Sequence, residues 1–145
     1  MFDYTQSLGH WINRAGFALR AHLRDRLAAQ GIALTPEEWS LLMVLWRDGP
    51  RGMNELAAVT LRDRTTVTRL VDRMVAKDLL RRETPDGDRR AVRIAPTEAG
   101  AALEGPVLAV VSGVLSDAAG GLDPAQLEAT RGLLQQMVAN LDGSA

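Results

Sequence analysis

The feature that most constrains the fold is a pair of short helical patterns that meet across a tight turn. The first opens at Gly52, a tolerated N-cap, with Glu55 at the capping-box position, and it can run only to about Thr60. The second opens at Asp63, another N-cap residue, and reaches about Lys77. Its apolar stripe consists of Val67, Leu70, Val71 and Met74. Two short helices joined in this way predict a helix-turn-helix unit.

Two short strand-like segments, residues 80–84 and 91–94, follow the second of these helices. The run Pro85-Asp86-Gly87 between them is typical of a turn, because proline presets φ and glycine supplies a positive φ. The same loop continues into Asp88, Arg89 and Arg90. We therefore expect a basic β-hairpin beside the second helix of the unit, which is the arrangement called a wing.

Amphipathic helical patterns precede this unit. Residues 8–27 place apolar side chains at three- and four-residue steps, and Gly31 ends the pattern. The run Thr35-Pro36-Glu37-Glu38 then offers an N-cap hydroxyl, a proline at the first helical position and a capping-box acid. It predicts a helix that reaches about Arg47, with its tryptophans in the core.

Two further helical patterns follow the hairpin. A long one begins at Thr97, and Gly105-Pro106 is expected to kink it. The last begins at Asp123, and its apolar stripe consists of Leu127, Leu134, Val138 and Leu141. A chain of this size is unlikely to bury the stripes of its first and last helices alone, so we expect an obligate homodimer.

The fold class expected from these elements is mainly α, a winged helix-turn-helix with a two-stranded wing. The helical dimerisation region would be built from the N- and C-terminal helices. We expect one domain over residues 1–145, with the winged lobe at 34–95 and the dimerisation region at 1–31 and 97–145.

The net charge of −1 alone argues against a nucleic-acid partner, but the distribution of charge along the chain favours one. Residues 51–93 hold eleven basic and seven acidic side chains, a net of +4, and the rest of the chain is at −5. Lys77 is the only lysine, and arginine is suited to bidentate contacts with phosphates and guanine edges. The basic middle of the chain is therefore the candidate contact region.

The sequence lacks the residue patterns that several kinds of catalytic and metal site require. The chain has no cysteine, which excludes disulfides, thiolate nucleophiles and cysteine-ligated zinc. His10 and His22 are too few for a three-histidine zinc site, and no phosphate-binding loop, nucleophile elbow or pair of catalytic carboxylates is present. We expect no cofactor, no metal and no enzymatic activity. With no signal-peptide pattern and no apolar run near ~18 residues, we expect a cytoplasmic protein without a membrane partner.

The helix that begins at Arg64 is the candidate reader of DNA. With its apolar stripe inward, Thr65 and Arg69 point outward and three further polar side chains lie on the flanks. Short polar groups near the N-terminus and longer cations beyond it suit a helix in the major groove. The candidate contacts on this helix are Arg64, Thr65, Thr66, Thr68, Arg69 and Arg73. The alternative is an ordinary solvated, charged helix face.

The forty residues LRDRTTVTRLVDRMVAKDLLRRETPDGDRRAVRIAPTEAG, 61–100, resemble the signature region of the MarR (multiple antibiotic resistance regulator) family. The pattern of the family's recognition helix matches Asp63 to Met74. Its wing motif D-x-R matches Asp88 and Arg90, and its T-x-x-G motif matches Thr97 and Gly100. The chain departs from the pattern at Leu61, where glycine is common, and at Pro96, where leucine is common.

The resemblance implies a triangular homodimer in which the first, fifth and sixth helices interlock and two winged lobes straddle a pseudo-palindrome. It also implies that Arg90 enters the minor groove, held by Asp88, which adds Asp88, Arg89 and Arg90 to the candidate DNA-binding residues. The predicted partners are double-stranded DNA and a second copy of the chain.

Regulators of this kind often bind small aromatic or anionic molecules between the dimer helices and the winged lobe. The candidate effector-binding residues are His10, Trp11, Arg14, Trp39 and Met43, which could supply an aromatic wall and one cation. The alternative is that the tryptophans belong to the core or the interface and that Arg14 pairs with an acid.

The sequence thus predicts a DNA-binding transcription regulator, a repressor released by a small ligand. Two rival functions are a winged-helix module that binds a protein partner and a non-specific architectural DNA-binding protein. Groove-facing Thr65, Thr66 and Arg69 argue against the first rival, and the net charge of −1 argues against the second.

Overall fold

The structure is a computed structural model that describes residues 1–143, except for the side chains of Asp86 and Arg89. Within this part of the chain the α-helices are α1 Leu8–Ala29, α2 Pro36–Asp48, α3 Met53–Val59, α4 Arg64–Ala76, α5 Glu98–Ala102, α6 Glu104–Ala118 and α7 Pro124–Asp142. The strands are β1 Leu80–Glu83 and β2 Arg93–Pro96. A mainly α winged helix-turn-helix fold is therefore confirmed.

Local capping explains why two helices of the winged lobe begin where they do. Thr35 accepts from the backbone N–H of Glu38 at 3.2 Å, and the Glu38 carboxylate accepts from the Thr35 N–H at 3.3 Å, so the predicted capping box of α2 is confirmed. Asp63 caps α4 by accepting from the Thr66 N–H at 2.8 Å. Both starts are set by residues within one helical turn.

The turn between α3 and α4 contains a strained residue. Leu61 has φ of 54°, in the left-handed region that disfavours residues with a branched side chain. Its side chain is 81% exposed, so packing of that side chain does not offset the strain. Leu61 is also the position where the resembling family commonly has glycine, and the backbone conformation explains that preference.

The core lies inside the winged lobe and extends to the ends of α1 and α6 that reach it. Its members are Leu27, Leu34, Leu41, Leu42, Leu45, Leu56, Val67, Leu70, Val71, Met74, Leu80, Ile94 and Val107. The predicted apolar stripe of α4 is fully contained in this set. Trp39 and Trp46 are half-buried and pack against the core from outside.

The wing is an antiparallel pair in which Leu80 lies opposite Pro96 and Glu83 opposite Arg93. The predicted second strand, 91–94, is displaced to Arg93–Pro96, because Asp88 caps a short 3-10 turn over Arg89–Ala91. A third segment, which the sequence analysis missed, joins the sheet. The backbone of Arg51 exchanges hydrogen bonds with Ile94 at 3.1 and 2.7 Å, so the start of α3 is tied to the hairpin.

The long helical pattern after the wing is divided in two. We expected a kink at Gly105-Pro106, but the helix is interrupted just before, at Leu103. Pro106 has no N–H to donate to the carbonyl of Ala102 four residues earlier, so the helical ladder cannot continue through that point. The fifth helix of the sequence analysis is therefore α5 with α6, and the sixth is α7.

One helical segment, after the wing, is rich in apolar residues. Glu98–Ala118 satisfies the length and composition of a membrane span, although its length is interrupted at Leu103. Val107 and Val114 of this segment are buried within the chain, whereas Leu108 and Leu115 are exposed. One apolar face of this segment therefore packs against the core, and a second apolar face is left uncovered.

Candidate nucleic-acid interface

The recognition helix α4 packs one face into the core and exposes the other face. Val67, Leu70, Val71 and Met74 are buried, as predicted from their spacing. Thr65 and Arg69 lie on the opposite side of the helix with exposed side chains, and Arg64, at its first position, is exposed as well. None of these three makes a side-chain hydrogen bond or ion pair to another described residue. They are therefore available to an external partner at a place that the core holds rigid.

Two other predicted contacts on α4 have local partners. The hydroxyl of Thr66 donates to the Asp63 carboxylate at 2.7 Å, and that of Thr68 donates to the Arg64 carbonyl at 2.8 Å. Hydrogen bonds from the backbone N–H and the hydroxyl of Thr66 hold the pKa of Asp63 below its usual value. Both hydroxyls therefore form hydrogen bonds within the first turns of the helix, and each hydroxyl oxygen keeps lone pairs that can accept from a further partner.

Arg73, predicted to face phosphate, has a partner inside the protein. Its Nε lies 3.2 Å from Oε1 of Glu38, whose side chain is fully buried. Just over half of the Arg73 side chain remains exposed. The structure thus places Arg73 at the edge of the recognition surface but engages its guanidinium within the fold.

A second ion pair, which the sequence analysis missed, connects α4 to the wing. Asp72, on the outward face of α4, pairs with Arg82 of β1. Ten residues separate the two along the chain, so no helical or strand periodicity links them. The pair holds the hairpin beside the recognition helix and neutralises one arginine near the candidate surface.

The hairpin presents Arg90 as expected, although its contact with Asp88 differs from the one implied by the resemblance. The Asp88 carboxylate accepts from the backbone N–H of Arg90 at 2.9 Å and forms no ion pair with its guanidinium. Asp88 therefore shapes the loop, and the Arg90 side chain is exposed and unpaired among the described residues. The side chain of Arg89 lies outside the described part of the structure.

The five candidate effector residues are not brought together in one protomer. His10 and Arg14 line an open surface depression of about 420 Å³ on one face of α1, whereas Met43 lines a cavity of about 380 Å³ between α2 and α6. The indole N–H of Trp11 donates to the Thr5 carbonyl at 2.8 Å. Trp39 packs on the core, and its indole nitrogen has no hydrogen-bond partner among the described residues.

Comparison with known proteins matches the region that carries this surface. The family model described as MarR family matches residues 34–91, from the start of α2 into the hairpin loop. The HTH-type transcriptional repressor NicR of Pseudomonas putida is 28% identical over 137 residues, which cover 94% of this chain and 85% of NicR. The chain is therefore similar to the MarR family over its winged lobe.

Solved structures extend the similarity to nearly the whole length of the chain. A probable transcriptional regulator from Pseudomonas aeruginosa superposes with a TM-score of 0.80 at 26% identity, covering 93% of this chain and 99% of that one. BpsR of Bordetella bronchiseptica gives a TM-score of 0.83 at 25% identity, covering 95% and 97%. The resemblance of residues 61–100 to the MarR family is confirmed, and the chain is similar over most of its length to known transcription regulators.

Proposed function

We propose that this chain is a MarR-family regulator that represses transcription by binding, as a homodimer, to a pseudo-palindromic operator, with no enzymatic activity. The recognition helix α4 would lie in the major groove and Arg90 in the adjacent minor groove. The observation that carries the proposal is the set of Arg64, Thr65 and Arg69, exposed and unpaired within the described chain on a helix whose other face is buried. A rigid helix with free polar groups near its N-terminus is what base readout requires.

The dimer is supported by the apolar surface that the chain leaves uncovered. The 19-residue helix α7 has no buried residue. It exposes Leu127, Leu133, Leu134, Val138 and Leu141, and with Leu115 of α6 it forms an apolar groove of about 640 Å³. A helix of this length is marginal in water without tertiary packing. A second copy of the chain, presenting the same surface, would bury both.

A small aromatic acid is the proposed effector. DNA binding by BpsR, a structural neighbour, is regulated by 6-hydroxynicotinic acid. In this chain the open depression on α1 combines the ring of His10 and the exposed ring of Phe17 with Arg14, whose guanidinium has no ion pair among the described residues. Two aromatic rings and one cation match the chemistry of an aromatic carboxylate. Arg14, His10 and Phe17 are therefore the proposed ligand contacts.

Titration of the protein with 6-hydroxynicotinic acid and related aromatic acids tests the effector. Trp11 lies beside His10, with ring centroids 5.1 Å apart, so ligand binding should change tryptophan fluorescence. It should also weaken DNA binding, because a ligand shifts a DNA-competent population through its differential affinity for the two states. Arg14→Ala should abolish both responses. If the parent protein responds to none of these acids, the effector site is wrong.

A footprint on the DNA beside the chain's own gene tests the regulator itself. We expect two protected half-sites related by a dyad and separated by about one helical turn, ~10 bp. Protection without sequence preference would indicate an architectural DNA-binding protein. No protection anywhere on this DNA would favour the rival module that binds a protein partner.

A further inference from the structure

Glu38 is a charged residue buried completely within the described chain. It begins α2 as the acid of the capping box, and that role uses only one hydrogen bond, from the Thr35 N–H. A capping-box glutamate at a helix start needs no burial to make such a bond. A carboxylate removed from water must be compensated by cations and hydrogen bonds, and those contacts indicate a second role.

The compensating cations come from the far end of the recognition helix. Nζ of Lys77 lies 3.0 and 2.9 Å from the two carboxylate oxygens of Glu38, and Arg73 Nε lies 3.2 Å from one of them. Lys77 also donates to the Ala33 carbonyl at 3.1 Å. The first turn of α2 is thereby joined to the last turn of α4.

The choice of lysine at position 77 fits this geometry. Every other basic side chain except the two histidines is arginine. A compact ammonium carries three donors that can point in three directions, and Lys77 meets three acceptors on two elements. Arginine's planar fork favours two parallel bonds to one carboxylate. The single lysine therefore stands where one ammonium joins a buried carboxylate to a backbone carbonyl.

We infer that Glu38 is a positioning residue for DNA recognition. Through Arg73 and Lys77 it sets the direction in which α4 leaves the lobe, and so the approach of Arg64, Thr65 and Arg69 to the bases. The inference rests on the proposed function. It also revises the expectation for Arg73, which acts here through the fold and contributes no phosphate contact.

The decisive variant is Glu38→Gln. Glutamine keeps the capping box, since its amide oxygen accepts from the Thr35 N–H, but it removes the charge that Lys77 and Arg73 share. Thr35→Ala is the matched control, because it removes the N-cap hydroxyl and leaves the ionic contact intact. Affinity is measured for operator and for random DNA at several salt concentrations, with the active fraction fixed by stoichiometric titration.

We expect Glu38→Gln to lose about tenfold in operator affinity, about 1.4 kcal/mol, with unchanged affinity for random DNA. Thr35→Ala should keep the parent's ratio of specific to random binding. Arg73→Ala should also lower this ratio, without a change in the slope of log affinity against log salt. Loss of a phosphate contact in each of two lobes would instead reduce that slope by about 1.8.

A reduced slope for Arg73→Ala, or a Glu38→Gln protein with the parent's specificity ratio, would overturn the inference. If Glu38→Gln is poorly folded, Lys77→Met provides the same comparison at a residue more than one-third exposed. A parent protein that fails to distinguish operator from random DNA marks the failure of the proposed function. If the parent protein prefers operator to random DNA and the variants keep the same preference, only the positioning role of Glu38 is wrong.

Discussion

The backbone of Gly100 lies directly against the carbonyl oxygen of Leu79, so closely that a Cβ at position 100 would overlap that oxygen. Two hydrogen bonds fix the backbone of Gly100, and the N–H of Thr97 donates to the Leu79 carbonyl at 3.1 Å. Thr97 accepts from the Gly100 N–H at 3.0 Å, and the Trp46 indole donates to the Gly100 carbonyl at 3.2 Å. The T-x-x-G motif is thus a packing junction between α2, the end of α4 and α5, and it lies apart from the DNA-facing side chains.

Replacement of this glycine should therefore be costly. We expect Gly100→Ala to destabilise the fold by about 3 kcal/mol or more, because the new methyl group meets backbone, which cannot move aside as a side chain can. Gly132→Ala is the control: it lies inside α7 with no atom near the added Cβ, and it should stabilise by about 0.5–1 kcal/mol. Urea unfolding measures both, and equal effects would contradict the close approach.

The turn of the helix-turn-helix should gain stability from Leu61→Gly. The left-handed conformation costs a residue with a Cβ about 1–2 kcal/mol, whereas glycine's extra freedom in the unfolded chain costs about 0.5–1 kcal/mol. The difference is a gain of up to about 1.5 kcal/mol. Leu61→Ala keeps the strain and should bring no gain. A Leu61→Gly protein that melts below the Leu61→Ala protein would show that the strain is not there.

The start of the recognition helix should depend on acid pH through Asp63. Hydrogen bonds from Thr66 lower the pKa of this carboxyl in the folded protein, so its stabilising contribution is present above the unfolded pKa, about 3.9. The contribution is lost as pH falls through the lower folded pKa. Asp63→Asn keeps a capping oxygen without the charge. Between pH 7 and pH 3 the variant should lose less stability than the parent in urea unfolding, and an equal loss would refute the assignment.

The dimer should depend on the apolar face of α7. Leu134→Glu places a charge in the proposed interface and is expected to give monomer or unfolded chain at micromolar concentration in sedimentation. Ala129→Glu adds the same charge on the opposite side of α7 and should remain dimeric. A folded, stable parent monomer from nanomolar to micromolar concentration would contradict the architecture itself.

Local signals account for much of what the sequence predicted correctly. The starts of α2 and α4 are fixed by Thr35 and Asp63 within a single helical turn, and the buried stripe of α4 follows from a period of 3.6 residues. Such information is written in neighbouring residues. The exposed arginine and threonine opposite that stripe were predictable for the same reason.

Contacts between distant segments could not be predicted in this way. The bridge from Arg51 to Ile94 involves only one residue outside the hairpin. A single residue cannot show the alternation of apolar and polar side chains by which a strand is recognised in a sequence. The capping box accounted fully for a glutamate at position 38. Nothing in the sequence therefore indicated that Glu38 also forms an ion pair with Lys77, 39 residues away. The predicted effector set failed to assemble because helical spacing on α1 says nothing of how α1 and α2 face each other.

The most direct test of the account is the binding of Arg69→Ala to a set of operators that differ by single bases, measured at several salt concentrations. Arg69 lies exposed on the second turn of α4, where we expect it to contact a guanine edge. We expect a loss of about 1–3 kcal/mol and relaxed preference at one position in each half-site. Arg90→Ala should lose most where an A·T-rich, narrow minor groove flanks the site. If both variants keep the parent's sequence profile and salt slope, α4 and the hairpin do not read DNA.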